Sequence, residues 1–166
     1  EEEHAQRVSQ WCHDLGVTME LSHVKIRRLK LAGYFHDIGK VVFHKELLDE
    51  NSDLSEEELT EIKKHPIMGY RILNAFDDTM SLADAVLHHH ERWDGTGYPK
   101  GLKGEEIPFL ARVVAVVSYY DRLASAPEAS ALGINQNPLT HLEKMEGHFD
   151  PEIKREFVKM IRNLLS

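Results

Sequence analysis

The sequence predicts an all-α domain of about seven helices. Apolar residues recur at the three-to-four-residue spacing of amphipathic helices through most of the 166 positions. The strict alternation of a half-buried strand is nearly missing. Glycine, proline, serine and aspartate stand where helices would start and stop. Val8, Trp11, Cys12 and Leu15 form a first stripe, ended by Gly16. Leu21, Val24, Ile26, Leu29, Leu31, Ala32 and Phe35 form a second helix that runs into His36 and Asp37 and meets Gly39. Ser55 with Glu58 three residues on is a capping-box pattern ahead of Leu59 and Ile62. This third helix is expected to break at His65-Pro66, because proline disfavours helical geometry in the residue before it, and Met68, Ile72 and Leu73 resume the apolar face. Met80, Ala83, Val86 and Leu87 make a stripe that delivers His88, His89 and His90. Residues 94 to 104, with four glycines and Pro99, read as a loop. Pro108 suits the first turn of a helix running to about 125, faced by Leu110, Val113, Val114 and Val117. Residues 126 to 138 read as an irregular connector. A last helix takes Asp150 as N-cap and Pro151 at its first position, with Ile153, Phe157, Val158, Ile161 and Leu164 or Leu165 inward.

Composition narrows the function. Hydrophobic residues are 42% and charged residues 29% of the chain, ordinary values for a domain with a real core. The formal charge of −8 argues against broad affinity for a nucleic-acid polymer or an anionic membrane. The longest apolar run, Val113 to Val117, is far short of the roughly 20 residues of a membrane span. A single cysteine, Cys12, excludes an internal disulfide and fits a reducing compartment. The acidic start, Glu-Glu-Glu-His, lacks the basic and apolar regions of a signal peptide. A cytoplasmic location is the expectation. The unusual number is 11 histidines, since imidazole is the commonest nitrogen ligand for transition metals.

Four segments carry candidate ligands: His4; His36 with Asp37; His65; and His88, His89 and His90. Each lies at or near a helix end or break, where side chains can converge on a shared cavity. Neighbouring helical residues project about 100° apart, so His36 and Asp37 suit two adjacent ions better than one. A carboxylate can bridge two metals held about 3.5–4 Å apart while flanking imidazoles bind one ion each. Nitrogen and oxygen donors without thiolate favour iron, manganese or zinc over a structural cysteine-zinc site.

The segments His36-Asp37-Ile38-Gly39-Lys40, His65-Pro66 and His89-His90-Glu91-Arg92-Trp93-Asp94-Gly95-Thr96-Gly97-Tyr98-Pro99 resemble the HD-GYP family of the HD phosphohydrolase superfamily. The likeness extends from His4-Ala5-Gln6-Arg7-Val8 to Phe149-Asp150-Pro151, nearly the whole chain. It implies an HD-type helical bundle with a two- or three-metal centre, often iron or manganese, that hydrolyses cyclic di-GMP in bacterial signalling. It further implies that His4, His36 and Asp37 serve one metal, with Asp37 bridging to a second held by His65, His89 and His90. Lys40 would face a phosphate oxygen, although a cation at a helix C-terminus is also favoured by the dipole. The Gly97-Tyr98-Pro99 loop would contact substrate or a partner signalling protein, or serve as a turn. His88 is not expected to be a ligand, and His13, His23, His44, His141 and His148 match no ligand position and read as surface histidines.

The chain departs from the family in two places. Ser118 stands where the family has an aspartate completing the first metal's shell, and Asp121, on roughly the same helix face, matches a different family position. Pro127-Glu128-Ala129-Ser130 replaces Arg-Pro-Tyr-Arg, whose cations approach the substrate phosphates; Arg92, Lys100, Lys103, Arg112 and Arg122 are candidates to compensate. The expectation is one domain over residues 1–166, the C-terminal part of a longer signalling protein. It would hold one or two divalent ions, iron or manganese, with Asp37 and Lys40 in catalytic roles. The expected function is a metal-dependent phosphodiesterase acting on cyclic di-GMP or a related cyclic dinucleotide. The alternative is a weakened or inactive module that binds a nucleotide or a protein partner.

Overall fold

The computed structural model describes residues 2–44, 54–125 and 137–165. Eight α-helices follow one another among these residues: α1 (Glu2–Thr18), α2 (His23–Phe35), α3 (Glu56–Ile62), α4 (His65–Leu73), α5 (Asp77–His88), α6 (Phe109–Ala124), α7 (Pro138–Lys144) and α8 (Pro151–Leu165). Short 3-10 turns at Ile38–Val42 and Gly104–Glu106 complete the order, and no strand occurs among the described residues.

Helix α6 is the axis of the bundle. Ala111, Val113, Val114, Val116, Val117 and Leu123 are buried along it, and α1, α2, α5, α7 and α8 pack around it. The facing core comes from Val8, Cys12 and Leu15 of α1, Leu29 and Ala32 of α2, Leu82, Ala83, Ala85 and Val86 of α5, and Ile153, Phe157 and Ile161 of α8. Each fully buried Val, Leu, Ile or Phe side chain among these stabilises the fold by about 1.5–3 kcal/mol relative to exposure.

Helix ends follow the sequence signals closely. The Ser55 hydroxyl accepts from the Glu58 amide while the Glu58 carboxylate accepts from the Ser55 amide, a complete capping box. The chain breaks before His65, and Pro66 sits in the first turn of α4, where its missing N–H costs nothing. Asp150 caps α8 by accepting from the Glu152 and Ile153 amides at 2.9 and 3.2 Å, and Arg112 donates to its other oxygen at 2.7 Å.

Some expectations need correction. Gly16 does not end α1, which continues to Thr18; a β-carbon there would stand 3.1 and 3.2 Å from Ile26 and Leu29, so Gly16 serves close packing against α2. Val24, Leu59, Met80, Leu164 and Leu165 are exposed rather than inward. Each lies at a helix start or end or on the short α3, where the apolar spacing continues but no partner element covers it. Helix α7 begins at Pro138, with the Asn137 side chain accepting from the Leu139 amide at 2.9 Å. The sequence reading passed over this helix, because seven residues are too short for a periodic signal. The rest of the expected connector, with Pro127-Glu128-Ala129-Ser130, lies outside the described residues. Among the described residues no helix is long and apolar enough to cross a membrane.

Candidate metal centre

The centre is built where helices stop. Helix α2 ends at Phe35, and His36 caps it. Asp37 leaves helical geometry, and the chain tightens into the Ile38–Val42 turn. That turn rests on the start of α4 so closely that a β-carbon on Gly39 would lie 1.9 Å from the His65 carbonyl oxygen and 2.5 Å from the Gly69 nitrogen. Only glycine permits this contact, and the contact sets Asp37 beside His65. Helix α5 then ends against the same spot and presents His89 and His90.

The four side chains converge. Asp37 Oδ1 lies 3.1 Å from His65 Nε2 and 3.6 Å from His89 Nε2. His65 Nε2 lies 3.3 Å from His89 Nε2 and 3.2 Å from His90 Nε2. His65 and His89 donate from Nδ1 to the carbonyls three residues back, Ile62 at the end of α3 and Val86 on α5, at 2.8 and 2.6 Å. With the proton committed to Nδ1, each Nε2 carries a lone pair. The His65–His89 approach is therefore lone pair against lone pair, next to an Asp37 oxygen with no hydrogen-bond partner. Such a buried arrangement repels itself unless a cation stands among the donors, and imidazole held through its other nitrogen is the usual second support of a metal ligand. The donor set fits a divalent transition ion.

Protonation states agree with that role. Burial pushes the His89 imidazole down to about 4, with His36 and His65 adding to the effect against Asp37. Burial, then His89 and His65, holds His90 well below the ordinary histidine range. Burial works to raise the Asp37 carboxyl, but the imidazoles of His36, His65 and His89 outweigh it and hold the group well below its usual range. Near neutral pH Asp37 is therefore a carboxylate and His89 and His90 are neutral imidazoles, the forms that bind metal.

A second corner shares Asp37. His36 donates from Nδ1 to the Gly33 carbonyl at 2.7 Å, and His4 donates from Nδ1 to Asp121 Oδ2 at 2.7 Å. Both Nε2 atoms are buried without a hydrogen-bond partner. His4, His36 and Asp37 thus form a three-donor group beside the four-donor one. Asp121 is fully engaged, since Arg7 grips the same carboxylate at 2.8 and 2.9 Å. It orients His4 and does not itself face the centre. Asp37 Oδ2 receives two side-chain cations, Lys40 Nζ at 2.9 Å and an Arg122 guanidinium nitrogen at 3.0 Å.

Ser118 is buried in the wall of a cavity of about 340 Å³ next to the centre, shared with His89, His90, Tyr98, Tyr119 and Arg122. Among the described residues its hydroxyl makes one long contact, 3.4 Å to the Ala115 carbonyl. Tyr98 stacks on His90 with ring centroids 4.8 Å apart, Lys63 lies over the Tyr98 ring, and burial raises the Tyr98 phenol above its ordinary range. The phenol remains a hydrogen-bond donor.

The glycine-rich loop is tied down from below. The buried Glu91 carboxylate accepts from the Lys100 and Leu102 amides at 2.7 and 3.0 Å, and the Tyr98 amide donates to the His90 carbonyl at 3.1 Å. A β-carbon on Gly97 would meet the Arg92 nitrogen at 2.3 Å, so only glycine lets the loop lie this close to the segment that follows His89 and His90. Asp94 folds the loop's start by accepting from Thr96, and the Tyr98–Pro99 peptide is cis.

The structure thus brings His4, His36, Asp37, Lys40, His65, His89 and His90 together, with Tyr98 at the cavity edge and Ser118 in its wall. His88 lies outside both donor groups and points towards Glu91, 3.5 Å away. His148 is not a surface histidine: it lines the cavity and accepts from Arg92. His141 likewise pairs with the Tyr119 hydroxyl at 3.2 Å. Sequence reasoning quoted Glu91 and Arg7 within its motifs but gave neither a role. The acid following the histidine pair was a usable signal for Glu91, and Arg7, one turn after His4, was one for the grip on Asp121.

Residues 1–153 match the model of a family described as HD domain. The chain belongs to the HD domain family, in its HD-GYP branch. This HD-GYP domain is 38% identical to a cyclic di-GMP phosphodiesterase of Pseudomonas aeruginosa over 144 residues, covering 86% of this chain and 35% of that protein. It is 37% identical over 145 residues to the cyclic di-GMP phosphodiesterase response regulator RpfG of Xanthomonas campestris, covering 84% of this chain and 38% of the relative. The chain spans less than half the length of these curated relatives. Among solved structures, an HDG"Y"P protein from Bdellovibrio bacteriovorus superposes with a TM-score of 0.74 at 24% identity, over 97% of this chain and 52% of its own. That likeness is one of fold.

Proposed function

We propose that this HD-GYP domain is a metal-dependent phosphodiesterase that opens a cyclic dinucleotide, cyclic di-GMP foremost, to the linear product. The observation that carries the reading is the convergence of three imidazole Nε2 atoms and one unpartnered Asp37 oxygen beside a cavity lined by aromatic and cationic side chains. Relatives named as cyclic di-GMP phosphodiesterases support the substrate class.

Asp37, His65, His89 and His90 would hold a divalent ion, with iron(II) or manganese(II) favoured by a nitrogen and oxygen donor set without thiolate. When bound, the ion supplies a lowered pKa for water and neutralises charge growing on phosphate oxygens. The chain's own residues do the rest. Lys40 and Arg122 place positive charge on the Asp37 Oδ2 side, where phosphate oxygens would approach. Tyr98 and Tyr119 offer ring faces and hydroxyls to a base at the cavity wall, with Lys63 over the Tyr98 ring as a further cation. In the reaction a water oxygen bonds to phosphorus, the bond from phosphorus to the ribose oxygen breaks, and that oxygen takes up a proton. In this reading the domain works in the cytoplasm, where its nucleotide is made, and the Gly97-Tyr98-Pro99 loop is also the surface a signalling partner would meet.

A second reading, a module that binds nucleotide without turnover, is favoured by Ser118 in place of an acid and by the Arg122–Asp37 pair. Product formation from cyclic di-GMP, followed by chromatography on protein loaded anaerobically with iron(II) or manganese(II), separates the two. Turnover by the native chain supports the phosphodiesterase. Turnover only by Ser118→Asp supports the binding module.

A further inference from the structure

The two corners of the centre are unequal, and Arg122 makes them so. We infer that the Arg122 guanidinium supplies the positive charge at the His4–His36–Asp37 corner in place of a second divalent ion, so that the domain holds one ion, between Asp37, His65, His89 and His90. The inference deepens the proposed phosphodiesterase and rests on its four-donor site.

Ser118 and Arg122 lie four residues apart on α6, on one helix face. At the first of these positions the wall has a neutral hydroxyl whose one contact among the described residues is 3.4 Å to its own helix. From the second, a guanidinium nitrogen reaches Asp37 Oδ2 at 3.0 Å. Lys40 binds the same oxygen at 2.9 Å. Among the described residues the three-donor corner contains a single carboxylate, shared with the four-donor corner, and two side-chain cations already satisfy its outer oxygen. Asp121 adds no free charge, because Arg7 and His4 hold both of its oxygens. A divalent ion entering this corner would meet two positive neighbours and half of one carboxylate. The four-donor corner keeps Asp37 Oδ1, which has no hydrogen-bond partner, and three imidazoles.

Removing the guanidinium should reopen the corner, because the buried Nε2 atoms of His4 and His36 already face it. The test counts metal rather than turnover. The native chain, Arg122→Ala, Arg122→Gln and Arg122→Lys would be equilibrated with manganese(II), counted by native mass spectrometry, and examined by electron paramagnetic resonance. Circular dichroism would check the fold of each variant. Arg122 is about a third exposed (36%), so its replacement is compatible with folding. The inference expects one manganese and an isolated six-line spectrum for the native chain and Arg122→Lys, and two ions with an exchange-broadened spectrum for Arg122→Ala or Arg122→Gln. Two ions on the native chain would overturn it while leaving the phosphodiesterase reading intact. One ion on every variant would overturn it equally, since Arg122 would then exclude nothing. No ion on the native chain would remove the metal centre and both readings with it.

Discussion

Gly39 presses its α-carbon against the His65 carbonyl so tightly that a β-carbon would lie 1.9 Å from the oxygen. This contact joins the end of α2 to the start of α4, and through it Asp37 Oδ1 comes within 3.1 Å of His65 Nε2. Gly39→Ala is therefore expected to cost at least about 2–3 kcal/mol, the scale of overpacking a rigid contact. Bound metal should be lost together with stability, as read by thermal unfolding and metal analysis of the same sample.

Asp121 and His90 separate the two corners. Asp121→Asn weakens the carboxylate that orients His4 and pairs with Arg7, so it should lower the melting temperature. With a single ion in the four-donor corner, it should leave manganese affinity nearly unchanged. His90→Ala removes a donor and should lower that affinity by well over the roughly 10–100-fold that loss of a supporting hydrogen bond costs. Titration calorimetry on both variants gives the comparison.

The loop depends on Glu91. Glu91→Gln leaves one of the Lys100 and Leu102 amides facing an amide nitrogen instead of an oxygen, a loss of about 1–3 kcal/mol for a buried, charge-assisted pair. The amides of residues 100 and 102 should exchange hydrogen faster while those of α6 stay protected. Uniform exchange across the domain would contradict a local tie.

Stability of the metal-free protein should fall with acid. Burial depresses His89 from 6.5 to about 4 in the folded state. Between those values the unfolded chain binds the proton and the folded one does not, so stability falls as pH drops from about 6.5 towards 4. A bound divalent ion competes with the same proton. The loaded protein should therefore hold its melting temperature to lower pH than the stripped protein in matched thermal scans.

Much of this was legible in the sequence because the signals were local. The Ser55–Glu58 capping box, the His65-Pro66 break and the Asp150 cap each declare themselves within four residues, and the structure shows each as a helix end. The ligand candidates were legible for a related reason: His36 and the His89-His90 pair sit where a helix stops and His65 where one starts, and such ends can face one another. What sequence could not supply was the long-range pairing. Nothing local says that Asp121 turns to His4 and Arg7, more than a hundred residues away, rather than to the centre. Nor does spacing say that Arg122 crosses to Asp37. The exposed Val24, Met80 and Leu165 fail for the complementary reason, since periodicity marks an apolar face without saying whether another helix covers it.

The most direct measurement is anomalous diffraction from crystals equilibrated with manganese(II). The account predicts one peak per chain, at coordination distance from Asp37, His65, His89 and His90, with Arg122 still against Asp37. A peak confined to the His4–His36 corner, or no peak among these residues, would contradict it.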